Sequence, residues 1–165
     1  MTELIHTHTG SRDFDFLLGR RTVRNRRLRQ RLAGCDEWDE FEATCLARPV
    51  LGGIGNVEEF STDWAGGIEG LSLRLLDQAT GKWFVYWTDT RRCGELEAPV
   101  VGSFAGGTGI FEGPDVFEGR PVLVRYSWLD TTSATPRWEQ ALSDDGGLTW
   151  ETNWIAWSTP GGDAS

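Results

Sequence analysis

Two carboxylates, Asp89 and Glu58, are the residues of this chain best suited to carrying a proton. Asp89 ends the run Lys82–Asp89, where Trp83, Val85, Trp87 and Asp89 fall on one face of an alternating strand. Glu58 lies in the short run Asn56-Val57-Glu58-Glu59-Phe60. Burial beside indole rings disfavours a charged carboxylate, so its pKa rises and it can serve as a general acid or base. The matching chemistry is cofactor-independent isomerisation, cyclisation or hydration of a bound molecule. The plainer alternative is that these carboxylates pair with arginines and the tryptophans fill a core.

Other chemistries find little support. His6 and His8 are the only histidines, and no Cys or acidic cluster joins them in sequence, so no metal centre is expected. The lack of an interior histidine argues against a serine-nucleophile triad and against an axial histidine for haem. Cys35, Cys45 and Cys93 are odd in number, far apart and outside any Cys-x-x-Cys spacing, which suits reduced packing residues. Gly52-Gly53-Ile54-Gly55 and the stretch 102–109 are glycine-rich, yet neither stands between a strand and a long helix. Both read as hairpin turns, and no cofactor is expected.

Binding is better supported. Residues 137–157 carry Trp138, Trp150, Trp154 and Trp157 around the turn cluster Ser143-Asp144-Asp145-Gly146-Gly147, a hairpin signal. With Ser143 opposite Thr149, Leu142 meets Trp150, Gln140 meets Thr152 and Trp138 meets Trp154, all on one face. Glu139, Ala141, Glu151 and Asn153 then occupy the other. The expected cavity wall is Trp87, Trp138, Gln140, Thr152 and Trp154, with Tyr126 or Arg125 on a further strand and Asn56 and Glu69 joining. An apolar pocket with a few placed polar groups suits a small amphipathic ligand. The leading expectation is therefore binding of a small, largely apolar, aromatic or acyl ligand. An acid/base enzyme using Asp89 or Glu58 in the same cavity is the first alternative. An interaction protein docking through an arginine-rich first strand is the second.

These residues need a frame. A chain of 165 residues suits one domain, placed at 12–157 between flexible tails at 1–11 and 158–165. Twenty-one glycines, nine tryptophans and eight phenylalanines, spread over short runs that end in glycine, point to an all-β protein. Residues 13–19 read as a short helical turn, capped by Ser11 or Asp13 and stopped by Gly19, with Phe14, Leu17 and Leu18 as an apolar plug. About ten strands follow. An up-and-down antiparallel β-barrel removes the exposed edges that such a meander otherwise leaves, with a two-layer sandwich as competitor.

The net charge of −9 conceals seven arginines within residues 20–31. As a strand, that run divides its arginines between both faces, and Glu40 and Glu42 on the next strand can pair with them. Cross-strand pairing explains the cluster better than nucleic-acid binding. No apolar run approaches the ~20 residues needed to span a bilayer, and the first residues lack the pattern of a signal peptide. The expectation is a cytoplasmic protein whose partner is a small hydrophobic or amphipathic ligand, with neither nucleic acid nor membrane, and with a homodimer left open.

Two resemblances add to this. Ser143-x-Asp145-x-Gly147-x-Thr149-Trp150 has the form of an Asp-box, the hairpin element repeated in sialidase-type propellers. It occurs once here, and a chain of this length cannot supply a propeller, so it reads as a turn device. More broadly, Phe14–Gly19, Glu37–Phe41, Glu69–Leu75, Trp83–Asp89, Gly119–Val122 and Arg137–Trp154 resemble a bacterial lipocalin-like family, domain of unknown function 1579. That resemblance implies a calycin-type barrel with a central cavity and brings no reaction with it. Lipocalin-type barrels often begin their first strand with Gly-x-Trp, whereas this chain has Gly19-Arg20-Arg21. The departure would put a cation at the closed end of the cavity.

Overall fold

The computed structural model describes residues 10–92 and 94–161. The expected tail at 1–11, with His6 and His8, falls almost wholly outside the described residues, as do Cys93 and the last four positions.

Ten strands form a closed, antiparallel, up-and-down barrel. They are β1 (Gly19–Leu28), β2 (Trp38–Val50), β3 (Gly55–Thr62), β4 (Ile68–Asp77), β5 (Lys82–Asp89), β6 (Val100–Ala105), β7 (Thr108–Phe117), β8 (Arg120–Leu129), β9 (Arg137–Ser143) and β10 (Glu151–Pro160). Each strand pairs with its sequence neighbours, and β1 closes the ring on β10 from Arg21 opposite Pro160 to Arg27 opposite Trp154. β10 thus runs three residues into the stretch read as a tail. No helix among the described residues is long and apolar enough to cross a membrane.

Period-two alternation decides which side chains enter the barrel. On β1, Arg21, Val23 and Asn25 are buried, while Arg20, Thr22 and Arg24 face out. On β2 the inward residues Ala43, Cys45 and Ala47 are small, which leaves room inside. The outward arginines meet acids as expected: Arg24 stands opposite Glu42 and Arg26 opposite Glu40, and Arg29 bonds both Glu37 and Asp39. These exposed pairs contribute little to stability.

One end of the barrel is plugged. The chain enters through a 3₁₀ turn, Asp15–Leu17, and Phe14 drops into the end of the barrel. Its ring lies edge-on to Trp83 at 4.9 Å, Phe104 at 5.0 Å and Trp128 at 5.1 Å. Burying such a ring is worth roughly 2–3 kcal/mol, enough to hold a turn too short to stand alone. Neither Ser11 nor Asp13 caps it. Instead Asp13 accepts a hydrogen bond from Trp83 Nε1 at 3.2 Å, and Gly19, at φ 89°, opens β1 rather than ending a helix.

The hairpin of β9 and β10 departs from its expected register. Its turn is built by Asp145, which accepts from the Ser143 hydroxyl at 2.8 Å and the Thr149 amide at 2.9 Å. Beyond the turn Leu142 pairs with Glu151 and Ala141 with Thr152, and a bulge at Asn153 then resets the ladder so that Gln140 pairs with Trp154. Trp138 faces Ala156 rather than Trp154. The turn already offsets the pairing by one residue at Leu142, and the extra residue in β10 shifts every later pairing by one more.

The wall is thinnest between β5 and β6, which pair only from Trp83–Gly102 to Val85–Val100. From Tyr86 onward β5 leaves its neighbour. The Glu97 amide donates to the Trp87 carbonyl at 3.0 Å.

Candidate ligand cavity

Above the Phe14 plug, the barrel encloses a cavity of about 380 Å³. That is a volume typical of small-molecule sites. Aromatic rings make up much of its wall. Trp138 packs edge-on to Trp154 at 5.5 Å and to Tyr126 at 5.1 Å, and Phe60 meets Trp87 at 5.8 Å. Polar groups fix these rings: Trp154 Nε1 donates to Asn25 Oδ1 at 2.9 Å, and Asn25 Nδ2 donates to the Val23 carbonyl. Gln140 Nε2 donates to Asn153 Oδ1 at 2.8 Å. The Asn25 bond satisfies the one polar group of the buried Trp154 indole, and the aromatic packing fixes its remaining faces.

Five of the expected wall residues line the cavity: Trp87, Tyr126, Trp138, Gln140 and Trp154. Four others, Thr152, Arg125, Glu69 and Asn56, do not. Thr152 lies opposite Ala141 and outside the cavity, because the bulge at Asn153 falls between it and Trp154. Arg125 points outward, bonded to Glu112 at 2.8 Å, with its guanidinium 3.9 Å from the centre of the Trp150 ring. Glu69 is exposed and accepts a hydrogen bond from the Ser61 hydroxyl at 2.7 Å. The neighbours of Arg125, Val124 and Tyr126, take the inward positions of β8, so alternation forces Arg125 out. Asn56 is buried behind the lining and accepts from Arg74 Nη1 at 2.8 Å.

The two candidate acid/base residues are both held by arginines. Glu58 lines the cavity and accepts from Arg74 Nη2 at 2.9 Å. Asp89 sits at the rim, where it accepts from Arg91 Nε and Nη2, the Arg91 amide and Trp87 Nε1. A raised pKa was the expectation for a carboxylate beside tryptophans. The Arg91 hydrogen bond instead outweighs desolvation and draws Asp89 down to about 2. Asp89 is therefore a fixed negative charge at neutral pH.

Arginines absent from the expected site line the cavity at both ends. At the plugged end Arg21 is buried and donates to the Ser158 hydroxyl at 2.8 Å, placing a cation where the Gly19-Arg20-Arg21 departure suggests. Arg74 lies beside it, over Phe14 at 5.0 Å. At the open end Arg27, Arg31 and Arg91 line the mouth. Alternation along β1 already places Arg21, Val23, Asn25 and Arg27 on one face, so Arg27 was legible by counting. Arg31 lies in the loop after β1, where no periodicity applies. Asn153 reaches Gln140 through a bulge that sequence pattern does not reveal. The Cys45 thiol also lines the cavity, and burial raises its pKa well above the ordinary thiol range.

The chain matches no protein-family model and no curated protein sequence.

Proposed function

We propose that this protein binds a small amphipathic ligand, with an aromatic or acyl body, inside its barrel. The observation that carries this reading is the cavity of about 380 Å³ bounded by Phe60, Trp87, Tyr126, Trp138 and Trp154. A barrel built only for stability fills its interior with side chains. Here the buried inward positions of β2 are the small residues Ala43, Cys45 and Ala47, and Gly70 on β4 makes room for the Trp87 ring. Membership of the lipocalin-like family belongs to the same proposal and rests on the motifs from Phe14–Gly19 to Arg137–Trp154. The open end of the barrel, lined by Arg27, Arg31 and Arg91, gives a ligand a way in.

The acid/base alternative gains nothing from the site, since Asp89 is clamped as an anion and Glu58 is occupied by Arg74. Calorimetric titration with decanoate, decanol, 2-naphthoate and 2-naphthamide, followed in parallel by tryptophan fluorescence, tests the binding reading. Saturable binding of any of them that Trp138→Ala weakens about tenfold or more supports it. Absence of binding across all four overturns it.

A further inference from the structure

The mouth of the cavity carries two arginines, Arg27 and Arg31, that no acid among the described residues pairs with. Arg27 projects inward from the end of β1, with its guanidinium 4.9 Å from the Trp154 ring and 5.1 Å from the Trp64 ring. Its Nε is buried and has no hydrogen-bond partner among the described residues. Arg31, from the following loop, lies 4.7 Å over the Phe117 ring. Among the described residues neither Arg27 nor Arg31 forms an ion pair, whereas Arg26, Arg29, Arg74, Arg91 and Arg92 all do.

The arrangement is electrostatically unfavourable without a further anion. Burial, with the nearby charges of Arg31 and Arg91, lowers the Arg27 pKa to about 10. Burial and the proximity of Arg91 lower that of Arg31 as well. Aromatic faces hold both guanidiniums in place, but a ring quadrupole returns only ~0.5–2 kcal/mol and leaves the N–H donors unspent. Of the carboxylates near Arg27, Asp89 already serves Arg91 and Asp39 already serves Arg29. Asp115 and Glu118 act on Arg31 only through space. Arg27 is therefore left without an acidic partner among the described residues, and Arg31 has only through-space ones. A monoanion supplies the missing partner, and a carboxylate fits the planar fork of a guanidinium.

We infer that the cavity takes an amphipathic carboxylate, its apolar body against Trp138 and Trp154 and its carboxylate held at the mouth by Arg27 and Arg31. The inference rests on the binding reading above and specifies the ligand's charge and orientation. The opposite orientation is disfavoured because the guanidinium donors at the plugged end are engaged: Arg74 Nη1 and Nη2 by Asn56 and Glu58, and Arg21 Nε and Nη2 by the Ser158 hydroxyl and carbonyl, although Arg21 forms no ion pair among the described residues.

The test compares each acid with its neutral counterpart: decanoate with decanol, and 2-naphthoate with 2-naphthamide. The acid of each pair is expected to bind about tenfold or more tightly, because a charge-assisted bond in a half-buried site outweighs a neutral one. Arg27→Gln is expected to erase that preference, lowering the acid's affinity about tenfold more than the neutral compound's. Arg31→Gln, at a loop position with less packing at stake, is expected to reduce the preference too and covers the case in which Arg27→Gln does not fold. Arg24→Gln, on the outer face of the same strand, is expected to change nothing. Equal affinity within both pairs overturns the inference and leaves the binding reading standing. So does a loss in Arg27→Gln or Arg31→Gln that is equal for acid and neutral compound. Binding by none of the four overturns both.

Discussion

Arg74 and Glu58 meet at 2.9 Å inside the barrel, with only 3% and 13% of their side chains exposed. The pair joins the neighbouring strands β4 and β3 on their inner face, and Asn56 accepts the other arm of the same guanidinium at 2.8 Å. Breaking a buried pair from one side strands a charge, at a cost of about 3–5 kcal/mol. Glu58→Ala is expected to lose that much in urea-induced unfolding. Replacing both partners by apolar residues, as in Glu58→Leu with Arg74→Met, is expected to recover most of it. A double variant as unstable as Glu58→Ala would show that the stranded charge is not the cause.

Asp89 gives the barrel a distinct acid limb. Its ordinary pKa of 3.8 is drawn down to about 2, chiefly by the Arg91 hydrogen bond. A folded-state value below the unfolded one adds stability above the unfolded pKa, and that stability is lost as pH falls through the folded value. The window is therefore about pH 4 down to pH 2. Because Arg91 is about half exposed, screening reduces the contribution to about 1–2 kcal/mol. Asp89→Asn is expected to cost that much at pH 7 and almost nothing at pH 2, as read from unfolding curves at both values. An equal cost at both would remove the ion pair as the source.

Tyr126 reports on the dryness of the cavity. Its ring faces the cavity beside Trp138, and burial pushes its phenol well above the usual value of 10. Spectrophotometric titration of the native protein is expected to leave Tyr126 protonated until alkaline unfolding, a delayed step absent from Tyr126→Phe. Unfolding then releases the extra proton, so stability declines as pH rises past 10. Ionisation of Tyr126 near its ordinary value with the fold intact would mean that bulk water reaches the ring.

Much of the barrel could be read along the chain, because strand alternation is a local property. Trp83, Val85 and Trp87 on one face of β5, and Phe41, Ala43, Cys45 and Ala47 on one face of β2, follow from counting by twos. The same count explains why the outward arginines of β1 meet Glu40 and Glu42. It fails where a single backbone irregularity intervenes. The bulge at Asn153 breaks the parity between Gln140 and Thr152, and Thr152 is left outside.

The sequence by itself determined an all-β chain of about ten strands, an aromatic interior and a charged first strand split between inside and outside. Each of these depends on residue type and on a period of two. Only the tertiary structure decided which charges lack partners. Arg27 and Arg74 are both inward-facing arginines, yet Arg74 meets Glu58 and Asn56 while Arg27 meets the faces of Trp64 and Trp154. The difference arises from barrel closure and loop placement, which bring together residues as distant as Arg27 and Trp154. Electrostatic balance is set by distances in space, and no local pattern in the chain encodes them.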